Sequence, residues 1–131
     1  MVITKELLDN LSAEAKVNPR LRMNYDLRNS ETDQSQRMLN ALEPGTILPI
    51  HRHRMSSETV VIIRGAIREN FYDEKGRLIE SIVLKHGCDV PMLVVPKGAW
   101  HNLECLEPNS IIYESKDGAY EPTTPEDIMT L

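Results

Sequence analysis

GTILPIHRHRMSSETVVIIRG, residues 45–65, sets a glycine, a His-x-His pair, a glutamate and a second glycine at the spacings a metal site on a β-barrel needs. Side chains two apart along a strand share a face, so a strand over residues 46–53 points His51 and His53 inward together, close enough to grip one cation. Glu58 follows a short loop, and its carboxylate on the return strand closes a third position of the same ion. Gly45 and Gly65 mark the turns at either end. A further ligand comes from PKGAWH, residues 96–101, where a Pro/Gly turn precedes a strand carrying His101. Three of the chain's four histidines are used in this way.

Three neutral imidazoles and one carboxylate suit a divalent transition metal (Fe, Zn, Mn, Ni or Cu) better than calcium or magnesium, and the ligand set does not choose among these. Four protein ligands on a six-coordinate ion leave two positions for water, a bidentate substrate or dioxygen. An isolated His-x-His more often packs or hydrogen-bonds, and the matched arrival of His51, His53, Glu58 and His101 is what favours metal here. Since the rings must be neutral to bind, metal is expected to leave as pH falls below about 6.

The order Gly45, five residues, His-x-His, four residues, Glu58, six residues, Gly65 matches the first cupin motif position for position, and PxGxxH at 96–101 matches the core of the second. The second motif departs at its edges, with Val90 and Cys105 where cupins often place glycine and asparagine. The chain therefore resembles the cupin superfamily. More narrowly, NPRLRMNYDLRNS before QRMLNALEPGT, with a late IIYESKDGAYEP, resembles the small single-domain WbuC family, whose genes are associated with bacterial surface polysaccharide clusters. The resemblance implies an all-β, cupin-type double-stranded β-helix (jelly-roll barrel) with a short N-terminal helix. It also implies a homodimer, formed by barrels packing side by side or exchanging a terminal strand. An N-terminal helix with a leucine stripe argues the same way, because the stripe needs a surface to cover. Sedimentation at high concentration is the check, and a monomer alone overturns the dimer.

With 131 residues, 40% hydrophobic and 27% charged, the chain suits one packed domain rather than two. No apolar run approaches the length of a membrane span, and the start of the chain lacks a leader's pattern, so a soluble cytoplasmic protein without membrane association is expected. Cys88 and Cys105 have neither metal-ligand nor redox spacing and read as reduced thiols. A net charge of −5 argues against nucleic acid, which needs a basic field. Residues 16–28 nevertheless hold Lys16, Arg20, Arg22 and Arg28 against Asp26 alone, whereas residues 104–131 hold seven acids against Lys116. Either these are solvated faces, or the first draws in an anionic small-molecule ligand.

The helix is read from about Thr4 to Lys16, capped by Thr4, striped by Leu7, Leu8, Leu11 and Ala15, and stopped at Asn18-Pro19. Strands are read near 36–42, 46–53, 59–64, 66–72, 78–84, 90–95, 99–106 and 110–116, with DEKG at 73–76 the clearest hairpin turn. The organisation is thus a helix and extended arm over 1–35, a barrel over 36–116, and a tail over 117–131 that wraps the barrel or frays.

Parity extends the site. Val60, Ile62 and Arg64 share the face of Glu58 if that strand is regular, and Ile47 and Pro49 share that of His51 and His53. Arg64 and Tyr113 are the candidate catalytic groups. Facing inward, Arg64 holds a carboxylate or phosphate in a two-point grip; adjoining Gly65, it turns out to solvent instead. Tyr113 either projects its hydroxyl into the mouth as donor or general acid, or is a core tyrosine. Only one of Arg37 and Asn40 can face the cavity. Three functions are open: a metal-dependent enzyme, such as an isomerase or epimerase, acting on a sugar, nucleotide sugar or related small polar metabolite, for which the WbuC resemblance implies surface polysaccharide (O-antigen) biosynthesis; an Fe(II)-dependent dioxygenase; and a non-catalytic module whose metal anchors a ligand.

Overall fold

The computed structural model describes residues 1–130. The helix α1 (Lys5–Val17) is followed by β1 (Arg22–Asp26), β2 (Ser35–Leu42), β3 (Glu58–Arg64), β4 (Ala66–Tyr72), β5 (Leu78–Lys85), β6 (Met92–Val95), β7 (Trp100–Cys105) and β8 (Ser110–Asp117). The strands form two antiparallel sheets, ordered β1-β2-β8-β3-β6 and β5-β4-β7, the jelly roll expected from the sequence.

Alternation along the five-stranded sheet builds both of its faces. Leu42, Val60, Ile62 and Ile112 face inward and pack against Ile67, Leu84 and Leu103 of the opposite sheet. Leu39, Ala41 and Ile111 face outward and are covered by Leu7, Leu8, Leu11 and Ala15 of α1. The leucine stripe is therefore buried within the chain itself, which removes it as an argument for a dimer. Thr4 caps the helix by accepting the Leu7 N–H at 3.2 Å, and Asn18 ends it by donating to Glu14 O and Ala15 O. At the predicted hairpin, the Asp73 carboxylate accepts the Lys75 and Arg77 N–H groups at 2.8 and 2.9 Å.

Three expectations are corrected. Residues 46–53 do not form a strand: Pro49 lacks an N–H, Ile47 is 84% exposed, and only His51 makes ladder-type pairs, with His101 and Ile128. Residues 22–26, read as part of an arm, form the edge strand β1, paired with β2 from Arg22↔Leu42 to Asp26↔Met38. The parity along β3 breaks at a bulge between Ile62 and Arg64, where the register against β8 shifts. The remaining strands differ from the predicted ranges by one or two residues.

The C-terminal segment follows residues 50–54 across one end of the barrel. The Arg52 N–H donates to Asp127 O, the Met129 N–H donates to Ile50 O, and the Arg52 and Arg54 Nε groups both reach Asp127 Oδ1. Both cysteines are unpaired, Cys88 exposed and Cys105 buried. Among the described residues no helix is long and apolar enough to cross a membrane.

Candidate metal centre

Two backbone hydrogen bonds bring the motifs together. The His51 N–H donates to His101 O at 3.0 Å and the His101 N–H returns to His51 O at 2.8 Å, so the two residues sit directly opposite each other with their rings on one side. Their ring centroids are 4.4 Å apart. His53 joins them, its own carbonyl accepting the Gly98 N–H at 2.8 Å from the PKGAWH turn. One ligand nitrogen from each of His51, His53 and His101 lies within 4.8 Å of the others.

Each ring is aimed by what its other nitrogen can do. Pro49 O only accepts, so the His51 Nδ1–H donates to it at 2.9 Å and Nε2 carries the lone pair. His101 Nδ1 lies 2.7 Å from Glu69 Oε1, and a cation at Nε2 selects the tautomer in which Nδ1–H donates to that carboxylate. His101 Nε2 and His53 Nε2 are buried without a hydrogen-bond partner. Glu58, at the start of β3, places Oε2 3.4 Å from His53 Nε2 and 4.0 Å from His101 Nε2. Buried, orphaned imidazole nitrogens beside a buried carboxylate are a costly arrangement unless a cation completes it. The donor set fits a divalent transition ion, which His51, His53 and His101 could hold together, with the Glu58 carboxylate beside two of them.

Electrostatics agree with this reading. Burial opposes the charge of Glu58, yet the His53 contact, Lys116 and the His101 ring outweigh it and hold the carboxyl at about 2. Burial, assisted by the neighbouring ring of His101, lowers His51 to about 4; burial, partly offset by Glu58, does the same to His101. His51 and His101 are thus neutral and ready to ligate down to about pH 4. The same shifts give the metal-free protein a pH-dependent stability. With the folded rings at about 4 against 6.5 for a free imidazole, their contribution is whole above pH 6.5 and is lost as pH falls to about 4. At about 1.4 kcal/mol per unit, the loss is on the order of several kcal/mol. Melting of metal-free protein between pH 7 and 4 should show Tm falling through this window; a flat profile would contradict it.

The histidines line a cavity of ≈ 260 Å³ between the sheets. It adjoins a hollow of ≈ 570 Å³ beneath the C-terminal segment, and His53, Lys116, Tyr120 and Thr123 line both. The structure does not bring Arg64 or Tyr113 to this cavity. Past the β3 bulge, Arg64 turns to α1, where its guanidinium donates to Asp9 Oδ1 at 2.8 Å and Ser12 Oγ at 3.2 Å. Tyr113 packs in the cluster beneath α1 on the outer face. Of the pair left open by the sequence, Asn40 lines the cavity and Arg37 is engaged by Asp33 at 3.3 Å. Trp100 lies under the Arg52 guanidinium, 4.5 Å from its ring centroid.

Sequence reasoning missed two acids. Glu69 sits between Ile67 and Phe71 on the inward face of β4, and Glu114 between Ile112 and Lys116 on that of β8. A carboxylate at the centre of an apolar, period-two face was the signal available. Burial and the nearby Glu58 push Glu69 well above the carboxylate range, and the same two causes push Glu114 up to about 8. Glu69→Gln keeps the shape but removes the ionised form of this group, which a cation held by His101 would favour against the burial that otherwise retains its proton. Metal affinity should fall about 10–100-fold, measured by competition with a chromophoric chelator, and unchanged affinity would deny Glu69 its supporting role.

Residues 3–84, well over half of the chain, match the family described as Domain of unknown function (DUF6016). No curated protein matches the sequence. Solved structures of cupin-fold proteins superpose well. The capsular polysaccharide assembling protein CapF from Staphylococcus aureus gives a TM-score of 0.69 at 21% identity, over 88% of this chain and 33% of its own. Oxalate oxidase in complex with the substrate analogue glycolate gives 0.65 at 17%, over 83% and 57%. KdgF from Halomonas sp. gives 0.62 at 16%, over 79% and 85%. Matched to oxalate oxidase and CapF, the chain spans little more than half of one and a third of the other, and at these identities the likeness is one of fold.

Proposed function

The chain belongs to the DUF6016 family, whose description assigns no activity, and we propose a metal-dependent cupin enzyme acting on a sugar, nucleotide sugar or related small polar metabolite. The observation that carries the proposal is the convergence of three imidazoles within 4.8 Å of one another on a cavity, with Glu58 against two of them. The WbuC resemblance and the fold shared with a capsular polysaccharide assembling protein support a role in surface polysaccharide biosynthesis.

A divalent ion bound there supplies Lewis acidity, polarising a carbonyl or orienting two oxygens of the substrate. The chain's own groups do the rest. Leu48 and Leu103 give the cavity apolar walls that limit water and strengthen electrostatic effects within it. Glu114, held up to about 8 by burial and by Glu58, retains its proton at neutral pH and can deliver it to a developing alkoxide. Asn102, anchored by the Tyr72 hydroxyl at 3.0 Å and the Asn70 amide at 3.2 Å, fixes the polarity of the cavity wall beside His101.

Metal content comes first in testing this, on protein purified without added metal or a chelating tag, followed by turnover of nucleotide sugars with zinc or manganese in the absence of air. Product formed anaerobically supports the proposal. Oxygen consumption that depends on ferrous iron replaces it with the dioxygenase reading, and saturable ligand binding without product replaces it with the metal-anchored binding module. A protein that refuses every transition ion overturns the metal centre itself.

A further inference from the structure

The cavity that holds the histidines also gathers three cations, two at its β1 end and one, Lys116, directly across from Glu58. The inward face of the five-stranded sheet presents Arg22 from β1 and Lys116 from β8, and Arg20 stands just before β1; all three line the cavity. Among the described residues none of them has a carboxylate oxygen within ion-pair distance. Arg22 is set in place rather than neutralised. Its Nη1 donates to Thr46 Oγ1 at 3.3 Å and Ile47 O at 3.0 Å, while the Thr46 hydroxyl donates to Arg20 O at 2.6 Å and so fixes both arginines through one residue. The other edge of the Arg22 guanidinium is left free. Nearby, Asn40 is 6% exposed and its Oδ1 has no partner, an acceptor buried in the same wall.

Charge makes the consequence definite. Even with Glu58, Glu69 and Glu114 all ionised, the three cations balance them without any metal, and none of these carboxylates is within ion-pair distance of Arg20 or Arg22. Two guanidinium groups without a carboxylate partner favour an oxyanion, which Arg can bind in a two-point fork. An orphaned amide oxygen favours a hydroxyl donor. At ≈ 260 Å³ the cavity takes a small molecule, with room for a longer substituent only through the hollow shared at His53 and Lys116.

We infer that Arg20 and Arg22 form an anion-holding end of this cavity, and that the ligand is a small hydroxylated acid whose carboxylate or phosphate lies against them while another of its oxygens reaches toward the histidines. The second half of this inference rests on the metal reading; the first does not.

Calorimetric titration of zinc-loaded and metal-free protein with glycerate, glycerol 3-phosphate and glycerol tests both halves. At least one of the two anions should bind saturably and neutral glycerol should not, the stronger anion identifying the carboxylate or phosphate source. Arg20→Gln, at a side chain that makes no hydrogen bond within the fold, and Arg22→Gln should each weaken that binding about tenfold or more. Binding that survives metal removal but is lost in these variants upholds the anion subsite even if the metal reading fails. Binding that needs zinc and ignores both substitutions places the anion on the metal and overturns the subsite while leaving the metal reading intact. No binding of either anion, or glycerol binding equally well, also overturns it.

Discussion

Replacing His101 with alanine abolishes stoichiometric uptake of a divalent transition ion, and His51→Ala does the same. Both rings are held by contacts that have no other purpose in the fold. His101 is 3% exposed, its Nε2 lacks any partner, and its Nδ1 is fixed by Glu69. His51 is tied to Pro49 O on one side and to the His101 backbone on the other. Removing either ring takes away a ligand rather than a support, so the loss should exceed the roughly 10–100-fold expected when only an outer partner of a ligand is changed. His86→Ala is the control, since that histidine is exposed in the turn after β5 and meets none of the other three. Elemental analysis of the three variants beside the unaltered protein reads the result. Full retention of metal in both His51→Ala and His101→Ala would sink the site, whereas loss in His86→Ala as well would point to adventitious surface binding.

The clustering of the candidate ligands was legible because its signal is local: His-x-His, the following glutamate and PxGxxH each lie within a few residues, and only the partnering of the two stretches needed the fold. Other parts were legible but went unread. Residues 20–28 alternate Arg20, Arg22, Asn24, Asp26 and Arg28 with Leu21, Met23, Tyr25 and Leu27, a period of two that marks β1 and separates its cavity face from its helix face. The strand between Thr46 and His53 failed for the opposite reason. Its composition favours a strand, but ladder pairing depends on a neighbour, and only His51 finds one. Arg64 shows a third kind of failure, since parity counts assume a regular strand and one bulge reverses them. Glu69 and Glu114 needed the long-range pairing of β4 with β7 and of β8 with β3 to be placed beside histidines remote in sequence.

Gly65→Ala is expected to destabilise the protein by about 3 kcal/mol or more. Gly65 joins β3 to β4, where the chain crosses from one sheet to the other, and it does so at φ +80. A side chain in that region costs about 1–2 kcal/mol through backbone strain alone. Space adds a second penalty, because a Cβ there would lie 2.2 Å from Ser110 Oγ and 2.8 Å from Ser110 Cα. The hydroxyl can rotate away, but the backbone carbon cannot without moving the start of β8. That movement also breaks the bond from the Ala66 N–H to Ser110 Oγ, and it disturbs the strand that carries Glu114 and Lys116 into the cavity. Gly87→Ala separates the two penalties, since Gly87 has φ +79 with nothing within 4 Å of the added carbon. Urea unfolding of the metal-free proteins should place Gly87→Ala near the strain cost alone and Gly65→Ala well beyond it, at unchanged m. Equal midpoints for the two variants would mean that the corner yields to the methyl group, and that the close approach of Gly65 to Ser110 is not what fixes β8 against the site.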